Sequence, residues 1–321
     1  MKTNYLLWSL LAVGLFSFGV LNTNDYFFNV LNVLGLNGLI VIGLALLMGY
    51  AGQVSLGHAA FYGLGAYTSG ILTAKYGLSP LLGLFAAQAV VLASALLIGL
   101  PSLRLKGHYL AMATLGFGVI VHVIFKETIS LTGGPSGLVG IPPLEVFGFT
   151  FFSSRQYFFL IWAVLLLTLL FSLHLAHSPF GRALLALHDS EAATQALGYD
   201  TGRLKLIVFL LSASFAGLAG SLYAHFAMFI SPTSFTFLHS VKLVTMVVIG
   251  GVASLWGALI GAGVLSVLPE VLTVFEDYDV LIFGVILVVI MIFLPEGLLK
   301  GLTTIWQKRK FHGQTQDSLS R

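Results

Sequence analysis

Polar side chains that could do chemistry are sparse in this sequence, and the first group of them lies between Gly49 and Tyr67. This glycine-rich segment carries an amide, a hydroxyl and an imidazole at Gln53, Ser55 and His58. Where a helix unwinds at glycine, such groups can line a path for a solute, and they can equally hydrogen-bond a neighbouring helix. Helix packing and a translocation path are therefore both open interpretations of these three residues.

A second glycine-rich segment runs over residues 250–263 and carries Ser254. Paired interrupted segments in two halves of a membrane protein indicate a path between them, and Ser254 therefore joins the candidate path residues. In a chain this rich in glycine and alanine, the match in spacing can also arise by chance. The matched positions are Gly52, Ser55, Leu56 and Ala59 in the first segment and Gly251, Ser254, Leu255 and Ala258 in the second.

Enzyme signatures are absent from the sequence. It contains no G-x4-G-K-[ST] phosphate loop, no HExxH metal motif and no G-x-S-x-G nucleophile elbow. The nine histidines are scattered and there is no cysteine, so we expect no catalytic residue, no metal site and no cofactor bound by this chain. The formal charge of +3 is too small to suggest a nucleic-acid partner.

The longest polar interruption with both signs of charge runs from His177 to Lys205. Ser178 followed by Pro179 predicts the start of one short helix, because serine caps a helix well and proline suits its first position. A second helix start follows within the same loop.

For this second helix, Asp189 or Ser190 can cap the N-terminus and Gly198 can end it. Glu191 falls in the first turn, where the helix dipole favours a negative charge. The predicted helix is about eight residues long, too short to be stable alone, so it must dock against something. Its small apolar side is formed by the i,i+4 pairs Ala192 with Ala196 and Ala193 with Leu197.

The elements that position these groups are membrane spans. Hydrophobic residues make up 58% of the chain and charged residues 8%, and the mean hydropathy is +0.99, which excludes an ordinary soluble domain. We predict an all-α polytopic membrane protein with about eight full transmembrane helices. The expected spans are residues 4–21, 27–48, 56–74, 80–100, 108–126, 157–176, 205–230 and 279–299.

Between Ser240 and Glu270 the apolar run is long for one crossing and short for two. Glycines interrupt its centre, so we expect a broken or re-entrant helical hairpin buried in protein. An odd number of crossings here would also place the basic C-terminal residues on the outer side.

Charge placement orients the spans. With the N-terminus inside, eleven Lys and Arg residues fall on the inner side and four on the outer side, as the positive-inside rule requires. The chain is therefore expected N-in and C-in, with the 177–205 loop in the cytoplasm. The inner set is Lys2, Arg104, Lys106, Arg182, Arg203, Lys205, Lys300, Lys308, Arg309, Lys310 and Arg321; the outer set is Lys75, Lys126, Arg155 and Lys242.

Four segments, taken together and in order, resemble the branched-chain amino acid permeases of the LivM type. They are GQVSLGHAAFYGLGAYTSGIL (52–72), LTGGPSGLVGIP (131–142), SPFGRALLALHDSEAATQALGYD (178–200) and VIGGVASLWGALIGA (248–262). The resemblance covers roughly residues 32–298. It implies a transmembrane permease domain over 1–300, with its coupling loop at 177–205, and a basic cytoplasmic tail over 301–321.

The resemblance implies a permease subunit of an ATP-binding cassette importer for leucine, isoleucine and valine in the bacterial plasma (inner) membrane. Its partners would be a second, homologous permease, two cytoplasmic ATPase subunits that hold ATP-Mg, and an external substrate-binding protein. In that family a short coupling helix fits a groove on the ATPase, and this helix maps to Glu191, Ala192, Ala193 and Gly198. The general importer pattern has three residues between the second alanine and the glycine, whereas four stand between Ala193 and Gly198.

Two other functions stay open. Relatives of this type also carry urea or short amides. A secondary transporter driven by an ion gradient is the other alternative, but it normally has an intramembrane acid or arginine, whereas Glu127 and Glu270 lie at the ends of the expected spans. The substrate, the residues that contact it, the crossings between 240 and 270 and the identity of the second permease as a homologue or a second copy stay open as well.

Overall fold

A computed structural model of the protein describes residues 2–103, 108–146 and 148–272, together with 284, 285 and 288. The predicted span at 279–299 lies outside the described residues apart from those three, as does the predicted tail at 301–321. The helices are α1 Lys2–Leu21, α2 Asp25–Ala45, α3 His58–Ala74, α4 Pro80–Ser102, α5 His108–Glu127, α6 Ile129–Thr132, α7 Ser154–His177, α8 Pro179–Asp189, α9 Glu191–Ala196, α10 Thr201–Ala227, α11 Phe237–Gly250 and α12 Leu255–Leu272.

Seven helices within the described residues are long and apolar enough to cross a membrane: α1, α2 with its continuation to Tyr50, α4, α5, α7, α10 and α12. The predicted fold class, an all-α polytopic membrane protein, is therefore confirmed. α3 covers an expected span but has 17 residues, the lower end of the length that crosses a bilayer.

Side-chain caps set the ends of the long helices. Ser153 and Gln156 form a reciprocal capping box at the start of α7, with each side chain accepting from the other residue's backbone N–H. At the start of α10, Asp200 Oδ1 accepts from Arg203 N at 3.1 Å. This cap starts α10 at Thr201, four residues before the expected span of 205–230.

α2 and α10 lie at the centre of the bundle. α10 packs against α2, α3 and α4, and α2 also packs against α7 and α12. Where α3 crosses α10 the backbones touch, since a Cβ at Gly65 would overlap the Gly217 carbonyl oxygen and one at Gly220 would overlap that of Tyr62. Small residues permit this approach, which drives helix packing in a membrane.

α1, α4 and α5 lie at the edge of the bundle and turn large apolar side chains outward. Each of these side chains is at least 60% exposed: Leu10 and Phe16 on α1, Phe85 and Leu97 on α4, and Ile120 on α5. Contiguous apolar faces of this extent are rare on soluble monomers and suit contact with lipid.

Two pairs of short strands close the end of the bundle opposite α8 and α9. β1 (Leu138–Val139) pairs with β4 (Phe229–Ile230), and β2 (Glu145–Val146) pairs with β3 (Phe149–Thr150), both antiparallel. The segment 131–142 therefore contains the end of α6, a 3-10 turn at Gly134–Ser136 and β1.

After α10 the chain returns through the bundle without α-helix before α11 begins, and this segment holds β4 and a 3-10 turn at Pro232–Phe235. Ile230 packs at Gly70 of α3, and Ser240 Oγ accepts from Ala59 N at 3.0 Å near the start of the same helix. The intervening residues therefore run alongside α3. Irregular backbone inside a membrane-spanning bundle is tolerated where protein buries it, as here.

α11 and α12 form the predicted broken hairpin, interrupted at residues 251–254. α11 has 14 residues, about 21 Å, which is too short to cross the bilayer core. α12 has 18 residues and continues through Pro269 to Leu272. Of these two helices, only α12 therefore reaches the length of a membrane span.

Candidate functional site

The polar loop at one end of the bundle, residues 178–200, folds into α8 and α9 and is called the α8–α9 loop below. Ser178 Oγ accepts from Gly181 N at 3.3 Å and caps α8. Ser190 Oγ accepts from Ala193 N at 3.3 Å and caps α9. Asp189 is the last residue of α8, so of the two predicted caps only Ser190 acts as one.

Gly198 ends α9 in the way the sequence predicts. Its φ of +87° lies in the left-handed region, which glycine occupies without strain. Gly198 N donates to Gln195 O at 2.9 Å and Tyr199 N donates to Thr194 O at 3.3 Å, the two bonds of a Schellman motif. This motif leaves α9 with six residues, two fewer than predicted.

The Glu191 carboxylate is held by groups of the same chain. Lys205 Nζ lies 2.6 Å from Glu191 Oε1, and Thr201 Oγ1 donates to the same oxygen at 3.4 Å. Gln195 Nε2 in turn donates to Thr201 Oγ1 at 2.9 Å. Because Lys205 and Thr201 belong to α10, these bonds tie α9 to the start of that long helix.

The opposite side of α9 faces away from the protein. Ala192, Ala193 and Ala196 are exposed, and Leu197 is 72% exposed. These are the two i,i+4 pairs that form the small apolar side of the helix. α9 therefore presents a short apolar surface on one side, while the bonds of Glu191 to α10 fix its other side.

The first glycine-rich segment lies at the end of the second span and separates it from α3. α2 continues as a π-helix over Leu46–Tyr50, and residues 51–57, called the first break, have no helical structure. Gly52 adopts a φ of +65° in this stretch. Gln53 is 6% exposed, and its backbone N–H donates to Leu47 O at 3.0 Å.

Ser55 and His58 lie inside the bundle in a continuous hydrogen-bonded row. His58 Nδ1 is 3.1 Å from Ser55 Oγ, and His58 Nε2 is 2.7 Å from Ser212 Oγ on α10. All three side chains are at most 1% exposed. Leu56 N donates to Thr114 Oγ1 at 3.0 Å, so α5 also holds the first break.

The second glycine-rich segment interrupts the chain at residues 251–254, called the second break. Ser254 Oγ accepts from Gly257 N at 3.1 Å. Gly251 has a φ of +110° and precedes Ser254 by three residues, as Gly52 precedes Ser55. The two breaks thus share a left-handed glycine, but α12 starts one residue after Ser254 whereas α3 starts three residues after Ser55.

The structure brings the candidate residues into two neighbouring groups. A cavity of about 410 Å³ lies between the first break and the α8–α9 loop, and its lining includes Gln53 on one side and Asp189, Ser190 and Glu191 on the other. The second break touches the π-helix that leads into the first break, where a Cβ at Gly49 would overlap the Val252 carbonyl oxygen.

Sequence reasoning missed the residues that connect these groups. The partner of Ser212 lies 154 positions away, and the partners of Thr201 and Lys205 lie across the turn between α9 and α10, so no helical spacing links them. His188 was also missed, although it stands directly before a predicted cap, and its ring nitrogen Nδ1 lies 3.0 Å from Gly49 O.

The apolar helices, the interrupted segments at the centre and the exposed short helix on a polar loop define an all-α polytopic membrane protein. Comparison with known proteins makes this more specific. The chain belongs to the family described as branched-chain amino acid transport system / permease component, whose family model matches residues 26–293.

Individual relatives agree with this family. The chain is 38% identical over 286 residues to the high-affinity branched-chain amino acid transport system permease protein LivM of Escherichia coli, covering 80% of this chain and 66% of the relative. It is 27% identical over 283 residues to LivH of Salmonella typhimurium, covering 81% and 90%. The probable LivM of Methanocaldococcus jannaschii is 25% identical over 330 residues, covering 86% and 94%.

The chain thus spans just under two thirds of the length of the Escherichia coli LivM. No solved structure matches the chain. The arrangement of its helices therefore rests on the structure described above.

Proposed function

We propose that this chain is the membrane-spanning permease subunit of an ATP-binding cassette importer and forms the translocation path for leucine, isoleucine and valine. Its family and its 38% identity to LivM support this substrate class. The chain itself binds no cofactor, and ATP-Mg is held and hydrolysed by partner subunits. The protein lies in the bacterial plasma (inner) membrane.

The observation that carries the proposal is the construction of α9. Its apolar side, with Ala192, Ala193 and Leu197, is exposed, while Glu191 on the other side is bonded to Lys205 of α10. A six-residue helix is unstable by itself, so its exposed side is expected to dock against a partner. Asp189, Ser190, Glu191, Ala192, Ala193 and Gly198 form the coupling region.

The partner at α9 is a cytoplasmic ATPase subunit, one of two in the importer. A second, homologous permease and an external substrate-binding protein complete the assembly. Closure of the ATPases on ATP displaces α9, and α10 moves with it because of the Glu191–Lys205 pair. Substrate selection rests mostly with the external protein, so this chain needs few charges along its path.

The orientation in the membrane is N-in and C-in, with the α8–α9 loop in the cytoplasm. The excess of Lys and Arg on the inner side supports this arrangement. Reporter fusions after Leu197 and after Gly140 should report the cytoplasm and the outside respectively. The opposite result for both fusions would reverse the topology.

The path passes the two breaks, whose polar groups are Gln53, Ser55, His58 and Ser254. Interrupted helices at the centre of a bundle are common binding elements of transporters because unwound backbone supplies polar groups there. Apolar amino-acid side chains pass such glycine- and serine-rich surfaces without being held by charge.

The test is uptake in proteoliposomes that hold this chain, its partner permease and the two ATPases, with the binding protein outside. We expect labelled leucine to accumulate with ATP and not when the ATPases carry a substitution that stops hydrolysis. Isoleucine and valine should compete, and urea should not. Uptake driven by a proton or sodium gradient without the ATPases would contradict the proposal.

A further inference from the structure

The end of α8 contacts the end of the second span through one side chain. His188 Nδ1 lies 3.0 Å from Gly49 O. A carbonyl oxygen only accepts, so Nδ1 carries the hydrogen and donates. The His188 ring also packs on the first break, with its Cδ2 atom 3.3 Å from the position that a Cβ at Gly52 would take.

Gly49 belongs to the π-helix Leu46–Tyr50, an uncommon local structure that is often found at functional sites. Carbonyl groups at the end of a helix lack intrahelical partners and need donors from elsewhere. Gln53 N supplies a donor to Leu47 O at 3.0 Å, and His188 supplies one to Gly49 O. The α8–α9 loop thus completes the hydrogen bonding of this helix end.

Gly49 also touches the second break. A Cβ at Gly49 would overlap the Val252 carbonyl oxygen and would lie 3.2 Å from Ala253 Cα. Contact this close leaves no room for Gly49 to move toward the second break without displacing it. Gly49 thus lies between His188 and the second break, two residues before the first break.

The connection from α9 to His188 is short and ordered. Ser190, the cap of α9, donates its backbone N–H to Ala186 O of α8 at 3.0 Å. Leu184 and Leu187 of α8 are buried, with 0% and 4% exposure, so α8 is packed against the bundle along one side. The cap of α9 is therefore bonded directly to the last turn of α8, which carries His188.

We propose that His188 is a positioning residue, which holds the α8–α9 loop against Gly49 throughout the transport cycle and thereby transmits the movement of α9 to the two breaks. The proposal rests on the coupling role assigned to α9 above. It adds a second connection, separate from the Glu191–Lys205 pair, that acts on the interrupted segments directly.

The first test is His188→Ala in the reconstituted importer, with leucine transported per ATP hydrolysed as the readout. Loss of one hydrogen bond of ordinary strength should lower this ratio about fivefold while ATP hydrolysis continues. His188→Asn keeps an N–H donor near the same position and should recover most of the ratio. His177→Ala is the matched control, since His177 Nδ1 contacts Leu173 O within its own helix.

A disulfide that holds position 188 against the first break distinguishes loss of transmission from a general loss of stability. A Cβ at Gly52 would lie 3.6 Å from His188 Cα, and the chain has no cysteine, so the pair Gly52→Cys with His188→Cys can form one defined disulfide. Because the φ of +65° at Gly52 strains any L side chain, the single Gly52→Cys variant is the reference for the double variant. When the partner subunits contain no cysteine, the reduced double variant should transport little leucine per ATP hydrolysed, and oxidation should restore this ratio. Each single cysteine variant should be insensitive to oxidation.

Several results would overturn the inference. These are an unchanged ratio in His188→Ala, no disulfide in the resting complex, and a disulfide that leaves transport low or stops it. If His188→Ala fails to assemble, the oxidised and reduced forms of the double variant decide the question alone. Failure of the unmodified importer to take up leucine with ATP would instead contradict the proposed function.

Discussion

The Glu191–Lys205 pair permits a quantitative prediction for the attachment of α9. Its oxygen and nitrogen are 2.6 Å apart, and the side chains keep 27% and 10% of their exposure. Exposed ion pairs contribute about 0.2–1 kcal/mol, whereas removing one partner of a buried pair costs about 3–5 kcal/mol. A pair with this partial burial falls between these limits, so Glu191→Ala should weaken the docking of α9 by about 2 kcal/mol.

An energy of about 2 kcal/mol corresponds to an equilibrium change of about 30-fold. The assay is amide hydrogen exchange of α9 in the purified protein, since Thr194 N donates to Ser190 O and Leu197 N donates to Ala193 O. In Glu191→Ala we expect both amides to exchange about 30-fold faster. The charge-reversed double variant, Glu191→Lys with Lys205→Glu, should recover part of the protection.

Arg203→Ala is the matched control for this measurement. Arg203 pairs with Asp200 in the same region, but the two side chains are 83% and 57% exposed, so exchange in α9 should change less than about threefold. If Glu191→Ala changes the exchange no more than this control does, the attachment of α9 to α10 does not depend on the pair, and the reasoning from burial fails.

Three further predictions concern other parts of the chain. Ala193→Pro removes the backbone N–H that donates to Ser190 Oγ, and it should abolish ATP-driven uptake while the protein still reaches the membrane. Normal uptake would contradict a coupling role for α9. Gly220→Ala should lower the melting temperature by several degrees because its Cβ overlaps α3, whereas Gly116→Ala, which meets nothing within 4 Å, should not. His58→Ala should destabilise the fold through loss of its bond to Ser212, and an unchanged melting temperature with altered uptake would instead support a direct role in the path.

Features that depend on neighbouring residues could be predicted from the sequence. Ser190 and Gly198 delimit α9 because capping and left-handed termination are settled within about four residues of a helix end. The interruption at 251–254 follows from the local glycines in the same way. The length of α9 was overestimated because the Schellman motif withdraws the last two residues from the helix.

Contacts between distant segments could not be predicted. His188 and Gly49 are 139 positions apart, and His58 and Ser212 are 154 apart. Their pairing depends on how the helices cross, which is set by glycines at the contact and by no periodic pattern in either segment. For the same reason the sequence left His58 with two interpretations, and the structure adds that its ring is enclosed by Ser55 and Ser212.

α10 connects most of the parts that sequence reasoning treated separately. Its first residues hold Glu191, its Ser212 meets His58 next to the first break, and its Gly217 and Gly220 lie against α3. This helix of 27 residues is about 40 Å long, and Ser212 lies about 10 Å along it from Lys205. His188 of α8 contacts Gly49, which lies just before the other end of the first break. α8 therefore contacts the chain just before the first break at Gly49, and α10 contacts it just after the break at His58. On the coupling role proposed for α9, we expect a movement of α9 to reach this segment through both helices.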